Sequence, residues 1–331
     1  MKKTLVILNV LIVLMVTLSA CVQGAAPERT SPAVVEPTNA PPTAVPTEEI
    51  IDSTIIATDD LGTEIVLAEP AQKIISISPS LTEILFSVGA GDRLIGRDSN
   101  SMYPEEAAAA TDLGGMWDGI PIEDILAMEP DLILAGEIFA EDAITEMRGL
   151  GLTVYWQKNP EDFEGLYKNV SDIAVLTGTE DVADELIISM TDRVSELDDQ
   201  LASVENIPLV FYELDASDPA NPYTPGAGTF ISFIISRAKG LNLGDSLDGA
   251  WVQVSSEELL AQNPDIILLA DALYGITAEM VAERAGWAEI KAVSGGEIYS
   301  FDPFILSVPG PRLVDGFEKV AEILHPEVFD N

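Results

Sequence analysis

The sequence predicts an α/β protein made of two similar lobes that are joined by one long α-helix. Three observations support this prediction: strand-like apolar runs alternate with helical patterns, one amphipathic segment is long enough to bridge two lobes, and one pattern occurs twice. Strands that are separated by helices form parallel sheets covered on both faces. The roughly 280 residues that follow residue 50 also suit two lobes better than one core.

Three short apolar runs predict buried strands in the first lobe: residues 73–77, 131–135 and 152–156. A helical pattern follows the first run over residues 80–88, where Ser80 and Glu83 have the spacing of a capping box. The strand pattern begins again at residues 208–214, after a middle region with little strand signal.

That middle region predicts a long helix. Its apolar residues recur every three or four positions and therefore share one helical face: Leu186, Met190, Val194, Leu197, Leu201 and Val204. At 1.5 Å per residue, a helix over residues 180–205 would span roughly 39 Å. Residues 158–205 are thus interpreted as a helical linker between a first lobe over residues 51–157 and a second lobe over residues 206–331.

A repeat at an offset of 134 residues is the clearest internal signal. Residues 117–136 read WDGIPIEDILAMEPDLILAG, and residues 251–270 read WVQVSSEELLAQNPDIILLA. The copies align without a gap and share a tryptophan, a glutamate and a Pro-Asp pair before the strand. A Pro-Asp turn before an apolar strand is common, but the tryptophan and glutamate at fixed distances favour two lobes of one design.

The N-terminal region predicts export and lipid anchoring. Residues 1–20 combine two lysines with a short apolar stretch, as in a secretory signal peptide; an uncleaved anchor is the alternative. Cys21, the sole cysteine, follows Leu-Ser-Ala, which resembles the lipobox of bacterial lipoproteins and implies lipidation. Residues 21–50 contain six prolines and no apolar period, so they are predicted to be a tether outside the fold.

The composition argues against several partners and activities. With 16 basic and 56 acidic residues the formal net charge is −40, whereas binding of nucleic acid needs clustered basic side chains. One histidine and a single cysteine that is expected to carry lipid argue against a His/Cys zinc site and against a Cys-His catalytic pair. His325 is interpreted as a surface residue that caps a helix. We predict no catalysis, metal or cofactor, with a carboxylate hydrolase as the alternative.

Several segments together match one known family: residues 75–83 (ISISPSLTE), residues 102–104 (MYP), both copies of the repeat, and residues 309–312 (PGPR) before a terminal helix. Over roughly residues 55–329, the chain resembles the helical-backbone (class III) substrate-binding proteins of ABC importers for cobalamin, ferric siderophores and haem. The resemblance implies Rossmann-like lobes with the ligand in the cleft between them. It also implies an extracytoplasmic, membrane-anchored monomer that delivers its ligand to a permease dimer with its ATPase.

Similarity to the cobalamin-binding members implies six ligand-binding residues: Tyr103 and Trp117 in the first lobe, and Tyr223, Trp251, Asp302 and Phe304 in the second. Aromatic faces bury a large area at low entropic cost, which suits a broad, partly apolar corrin ring. Alternatively, both tryptophans anchor loops to the core, and Tyr103 is an ordinary turn residue before a proline.

Two glutamates match the residues with which this family docks onto permease arginines. Glu123 and Glu257 occupy equivalent points of the repeat, one on each lobe. The structural alternative is that acids in a first helical turn are favoured by the helix dipole. Glu258, three residues after Ser255, is better explained as part of a capping box.

Departures from the cobalamin-binding pattern bear on the ligand. Gly136 stands where relatives can carry an aromatic residue, and Leu306 stands where a pocket arginine would fall. Four cations are candidates to replace that arginine: Arg97, Lys158, Arg237 and Arg312. A corrinoid ranks first, a ferric siderophore second, and haem, for which only tyrosine offers an axial ligand, third. A sensor or adhesion module of the same fold is the non-transport alternative.

Overall fold

The computed structural model of the chain describes residues 54–115, 119 and 121–329. The predicted signal peptide, the tether and Cys21 lie outside the described residues, and so does Trp117. Within the part that is described, no helix has both the length and the apolar character needed to cross a membrane.

Among the described residues, the first lobe is built on a five-stranded parallel sheet. Its strands are β3 (Ile74–Ser76), β4 (Leu94–Arg97), β5 (Thr111–Asp112), β6 (Leu132–Gly136) and β7 (Val154–Gln157). They lie in the order β5-β4-β3-β6-β7. An antiparallel hairpin of β1 (Ile55–Thr58) and β2 (Glu64–Leu67) precedes the sheet.

Helices cover both faces of this sheet, which explains why its central strands are buried along their whole length. They are α1 (Pro79–Ser87), α2 (Ile122–Met128), α3 (Glu141–Gly149) and α4 (Phe163–Thr177). Buried residues of α1 and α4 pack with Ile74, and those of α2 and α3 pack with Ile75, so successive residues of β3 face opposite layers.

The predicted capping box at Ser80 and Glu83 is wrong. Helix α1 begins one residue earlier than predicted, with Ser78 as its N-cap and Pro79 in its first turn. The carboxylate of Glu83 does not return to the helix N-terminus, because it is engaged by Arg312 of the second lobe.

The described residues of the second lobe form a four-stranded parallel sheet of β8 (Leu209–Glu213), β10 (Leu241–Asn242), β12 (Ile266–Leu269) and β13 (Ile298–Ser300) in the order β10-β8-β12-β13. An antiparallel pair, β9 (Tyr223–Pro225) and β11 (Trp251–Gln253), lies beside it. The helices are α6 (Phe230–Arg237), α7 (Ser256–Gln262), α8 (Ala278–Ala282), α9 (Lys291–Gly295), α10 (Phe304–Ser307), α11 (Leu313–Leu324) and α12 (Pro326–Phe329).

The repeat corresponds to one structural unit in each lobe. Helices α2 and α7 both end at a left-handed residue, Glu129 (φ 48°) and Asn263 (φ 54°), and each is followed by the Pro-Asp pair. The Asp131 carboxylate accepts hydrogen bonds from the backbone N–H groups of Gln72 and Lys73, before β3. Asp265 accepts one from Leu209 at the start of β8. In each lobe the aspartate therefore aligns the starts of two neighbouring strands.

The long helix is α5 (Glu180–Leu201), which ends four residues before the predicted boundary and spans about 33 Å. It is joined to the second lobe by ion pairs: Arg193 contacts Asp315 and Glu318 of α11, each at 2.8 Å, and Asp198 accepts hydrogen bonds from Arg237 of α6. The buried apolar cluster that includes α4 and α5 continues into both sheets, so the connection between the lobes is packed.

The interpretation of His325 as a surface residue is wrong. Its side chain is buried at the end of α11, and its Nε2 lies 3.0 Å from the carbonyl oxygen of Ala238. The residue does end the helix as expected, but it does so inside the second lobe.

A buried ion pair crosses from one lobe to the other. The Glu83 carboxylate of α1 accepts hydrogen bonds from the Nε and the backbone N–H of Arg312, both at 2.8 Å. Glu83 is 1% exposed, and burial raises the pKa of its carboxyl, although Arg312 acts in the opposite direction. A Cβ at Gly310 would lie 2.9 Å from this carboxylate, so only glycine fits there.

We predict that Glu83→Ala lowers the free energy of unfolding by about 2–4 kcal/mol, because removing one partner leaves a partly buried guanidinium uncompensated. Urea denaturation of the two proteins measures the difference. Glu322→Ala is the control, since its partner Lys319 is exposed and the expected loss is under about 1 kcal/mol. Equal losses in the two variants would contradict the prediction.

A second buried acidic cluster lies in the second lobe. Arg284 donates to both carboxylate oxygens of Glu213, which is fully buried, and Asp271 lies beside them at 4% exposure. One oxygen of Asp271 accepts a hydrogen bond from the Ala216 N–H, and the other has no partner within the described chain. Burial and the charge of Glu213 raise the pKa of Asp271 to about 7.

This raised pKa predicts a specific pH dependence. An aspartate titrates near 3.9 in the unfolded chain, so the folded protein binds the extra proton and loses stability as the pH rises from about 4 to 7. Asp271→Asn removes that titration. Relative to the wild type, we expect its free energy of unfolding to increase by about 2–4 kcal/mol between pH 4.5 and pH 8. Denaturation at both pH values tests this, with exposed Asp199→Asn as control; a pH-independent difference would refute it.

Candidate ligand-binding cleft

A cavity of about 680 Å³ lies between the two lobes. From the first lobe it is lined by the residues that follow strand ends: residues 78–80 after β3, 136–138 at the end of β6, and 158–161 after β7. Strands β3 and β6 are neighbours whose connections leave in opposite directions, and ligands of parallel sheets bind at such a switch point beyond the carboxyl ends of the strands. The volume is in the range of small-molecule sites.

The second lobe closes the opposite side of this cavity with three segments. They are residues 228–230 at the start of α6, residues 250–251 at β11, and residues 307–309 after α10. The lining mixes apolar side chains such as Phe230 and Trp251 with hydroxyl and amide groups such as Thr229 and Asn159. This composition suits a large ligand with an apolar body and polar edges.

A side chamber of about 170 Å³ adjoins the main cavity. It is lined by Pro79, Glu83, Asn100, Met102, Tyr103, Phe304, Val308 and Arg312. Pro79 and Val308 line both spaces, so the chamber and the main cavity are neighbouring parts of one cleft.

The structure brings three of the six predicted ligand residues to the cleft. Trp251 lines the main cavity, is 48% exposed, and packs edge-to-face with Phe230 at 6.1 Å between ring centroids. Tyr103 and Phe304 line the side chamber, one from each lobe.

Two of the other predicted ligand residues, Tyr223 and Asp302, line neither space. Tyr223 is exposed on β9, opposite Gln253 of β11, and it lines neither space. Asp302 is exposed and accepts a hydrogen bond from the Phe304 N–H at 3.0 Å, ordering the turn before α10. The role of Trp117 stays a prediction, because it lies outside the described residues.

Sequence reasoning missed several polar residues of the cleft, notably Ser78, Glu137, Asn159 and Thr229. The signal that points to the first three is their position directly after a strand of a parallel sheet, where ligand contacts are expected. Nothing local in the sequence marks Thr229, whose hydroxyl caps α6 by accepting a hydrogen bond from the Ser232 N–H.

Gly136 lies close to the side chain of Ser78. A Cβ on Gly136 would lie 2.8 Å from the hydroxyl oxygen of Ser78, on the neighbouring strand end. The cleft is therefore wider here than it would be with a ring, and the half-exposed Ile138 is the nearby apolar contact.

Two of the four candidate cations line the cleft and two do not. Lys158 lines the main cavity, and Arg312 lines the side chamber. Arg97 is buried against Asp98 and Asp112, and Arg237 pairs with Asp198; neither lines the cleft. Leu306 is fully buried, so the position at which a pocket arginine was expected does not face the ligand space.

A buried polar network supports the loop that presents Tyr103. The Asp98 carboxylate accepts hydrogen bonds from the Asn100 N–H, at 2.8 Å, and from the Ser101 hydroxyl. The Ser101 oxygen also lies 2.9 Å from the hydroxyl of Thr82 in α1. Burial raises the pKa of Asp98, against the effect of these hydrogen bonds. The network attaches residues 98–101 to α1 and so limits where the following tyrosine lies.

The predicted docking glutamates occupy equivalent exposed positions. Glu123 lies in the first turn of α2 and Glu257 in the first turn of α7, and neither has an ion-pair or hydrogen-bond partner among the described residues. Glu258 makes half of the predicted capping box: its N–H donates to the Ser255 hydroxyl, while its carboxylate accepts from Gln262. Within the described ranges, no cluster of three or more His, Cys, Asp or Glu residues is arranged to hold a metal ion.

Comparison with known proteins identifies the fold. The chain is 30% identical over 274 residues to an uncharacterised ABC transporter substrate-binding lipoprotein of Bacillus subtilis, over 82% of this chain and 85% of the relative. The vitamin B12-binding protein of Vibrio cholerae superposes with a TM-score of 0.67 at 27% identity, over 77% of this chain and 97% of that one. A possible iron-binding protein of Staphylococcus epidermidis does so with a TM-score of 0.66 at 26% identity, over 78% and 100%.

These likenesses confirm the predicted α/β fold with two lobes. The family model described as periplasmic binding protein matches residues 74–303, which include both sheets and the helix that joins them. The chain therefore belongs to the periplasmic binding protein family.

Proposed function

We propose that the chain is the substrate-binding lipoprotein of an ABC importer and that it holds its ligand in the cleft between the lobes. The observation that carries this proposal is the cavity of about 680 Å³, to which the strand ends of the first lobe and three segments of the second contribute. The name of the Bacillus subtilis relative supports both the transporter and the lipoprotein parts of the proposal. Lipids on Cys21 would anchor the mature chain outside the cell membrane.

We propose a corrinoid, such as cobalamin, as the ligand. Trp251 and Phe230 supply aromatic surface for a broad ring, while hydroxyl and amide groups in the lining suit the neutral amide arms of a corrinoid. The likeness to a vitamin B12-binding protein at 27% identity supports this choice.

The charge of the cleft argues against a polyanionic ferric chelate. Among the described residues, Lys158 is the one cation that lines the main cavity, and Glu137 and Glu161 line it as well. Anionic chelates are usually held by clusters of arginine or lysine, and the remainder of the chain carries a large negative charge. A ferric siderophore remains the second candidate because of the likeness to a possible iron-binding protein. Haem ranks third.

For delivery, we propose that Glu123 and Glu257 contact basic residues of the permease dimer, one glutamate on each half. Both carboxylates are exposed, unpaired among the described residues, and located at equivalent points of the two lobes. An exposed charge with no partner on its own chain is available to a partner of opposite charge.

The ligand is tested by calorimetric titration of the mature chain with Cys21→Ser, using cyanocobalamin and a panel of ferric siderophores. We expect micromolar or tighter binding of cyanocobalamin and a loss of about 10–30-fold in Trp251→Ala, because an aromatic contact area is removed. Tyr274→Ala is the matched control, since this tyrosine is 81% exposed and does not line the cleft. A binding signal with a siderophore but not with cyanocobalamin would overturn the choice of a corrinoid. The absence of binding with both would overturn the proposed ligand class.

Docking is tested by ligand-stimulated ATP hydrolysis of the cognate permease and ATPase in proteoliposomes. We expect Glu123→Arg or Glu257→Arg to lower the stimulation at least 5-fold, and the double variant to abolish it, with unchanged ligand affinity. Glu185→Arg, an equal charge reversal on the exposed side of α5, is the control and should retain stimulation. Full stimulation by the double variant would refute the docking role.

A further inference from the structure

The wall of the side chamber contains an arginine whose side chain is fixed by two contacts but whose terminal N–H groups have no hydrogen-bond partner among the described residues. Arg312 donates its Nε–H and its backbone N–H to the two carboxylate oxygens of Glu83. The face of its guanidinium lies against the ring of Tyr103, with 3.7 Å between the guanidinium carbon and the ring centroid. Two contacts from the first lobe, the Glu83 carboxylate at Nε and the Tyr103 ring against the guanidinium face, therefore set the plane and the direction of this side chain.

The outer edge of the same guanidinium is free. Neither terminal nitrogen of Arg312 has a hydrogen-bond partner among the described residues, and the side chain is 17% exposed, at the wall of the chamber. An arginine carries five N–H donors in a rigid fork, of which Glu83 engages one, so four remain. A fork that is already oriented loses little entropy when it binds an oxygen acceptor.

We propose that the side chamber is a subsite of the cleft in which Arg312 binds an oxygen-acceptor group on an arm of the ligand, namely a carboxylate, a phosphate or an amide carbonyl. This proposal rests on the proposed function of the main cavity. Arg312 then supplies the arginine contact that is missing at Leu306, because the other two candidate arginines are engaged outside the cleft.

The size of the chamber limits what it accepts. Its volume of about 170 Å³ is close to that of cavities of about 150 Å³ that hold one benzene-sized group. It therefore takes one arm, while the body of the ligand stays in the main cavity and the arm passes the shared wall of Pro79 and Val308. Tyr103 and Phe304 face the chamber from opposite lobes and favour a planar arm between them.

The charge of the subsite also sets a preference. Glu83 balances the charge of Arg312, so the chamber does not require an anion, and neutral amides are accepted as well as carboxylates. A cationic arm meets the unpaired edge of the guanidinium and is rejected. The subsite consequently selects for acceptor groups and against amines of the same size.

The subsite is tested with small probes that need no knowledge of the natural ligand. Benzoate, benzamide and benzylamine share one ring and differ in the attached group. They are titrated into the mature Cys21→Ser chain with ¹³C-labelled tyrosine, and the Tyr103 ring resonances, assigned with Tyr103→Phe, are followed by NMR. We expect saturable shifts with benzoate and benzamide in the millimolar range and none with benzylamine. Absence of a benzoate response, or an equal response to benzylamine, overturns the proposal.

Variants separate a direct contact from a structural effect. Arg312→Lys keeps a charge beside Glu83 but loses the planar fork, and we expect it to lower the affinity for benzoate at least 10-fold. If that variant does not fold, the double variant Glu83→Gln with Arg312→Gln removes both charges and should lower the affinity for benzoate to the same degree. Arg237→Lys, the same change outside the cleft, is the control and should leave benzoate binding unchanged. Unchanged benzoate binding in both the Arg312→Lys and the double variant overturns the proposal.

The same proteins distinguish this proposal from the proposed function. If benzoate responds as expected while cyanocobalamin and the chelates do not bind, the subsite is supported and the proposed ligand class fails. If cyanocobalamin binds equally to the wild type and to Arg312→Lys, and benzoate does not shift the Tyr103 resonances, the subsite is overturned and the proposed function stands. A fall of at least 10-fold in cyanocobalamin affinity in Arg312→Lys supports both.

Discussion

The ion pair between Glu83 and Arg312 is the contact on which the arrangement of the two lobes and the shape of the cleft both depend. One carboxylate of α1 binds two N–H groups at the start of α11, and the space for it exists because residue 310 is glycine. The pair also forms part of the chamber wall and holds the ring of Tyr103. A change in the distance between the lobes therefore alters the wall of the side chamber directly.

The remainder of the connection between the lobes resists such change. Helix α5 is fastened to the second lobe by Arg193 and Asp198, and one buried apolar cluster continues from sheet to sheet through α4 and α5. Packed interfaces of this kind permit small shifts between alternative arrangements rather than continuous bending. The cleft is thus largely preformed, and a preformed site loses less entropy on binding a large ligand.

The chemistry of the cleft follows from the ends of its strands. Parallel strands deliver their following residues to one edge of a sheet, so Ser78, residues 136–138 and residues 158–161 meet although they are far apart in the chain. Their side chains are mostly neutral or acidic, in a chain with a formal net charge of −40. Such a surface favours ligands that present hydrogen-bonding groups without much negative charge, which is the physical basis of the ranking of ligands.

The sequence by itself determined the features that depend on local periodicity: the strands β3, β6, β7, β8 and β12, helix α5, and the repeat in the two lobes. These follow from neighbours a few residues apart, which a pattern of apolar and turn residues records. It also predicted Tyr103, Trp251 and Phe304 as cleft residues, through resemblance to a family. Only the tertiary structure decided the partner of Glu83, which lies 229 positions away, the burial of His325, and the close approach of Ser78 to Gly136. Those outcomes depend on which segments meet in space, and no local spacing encodes such a meeting.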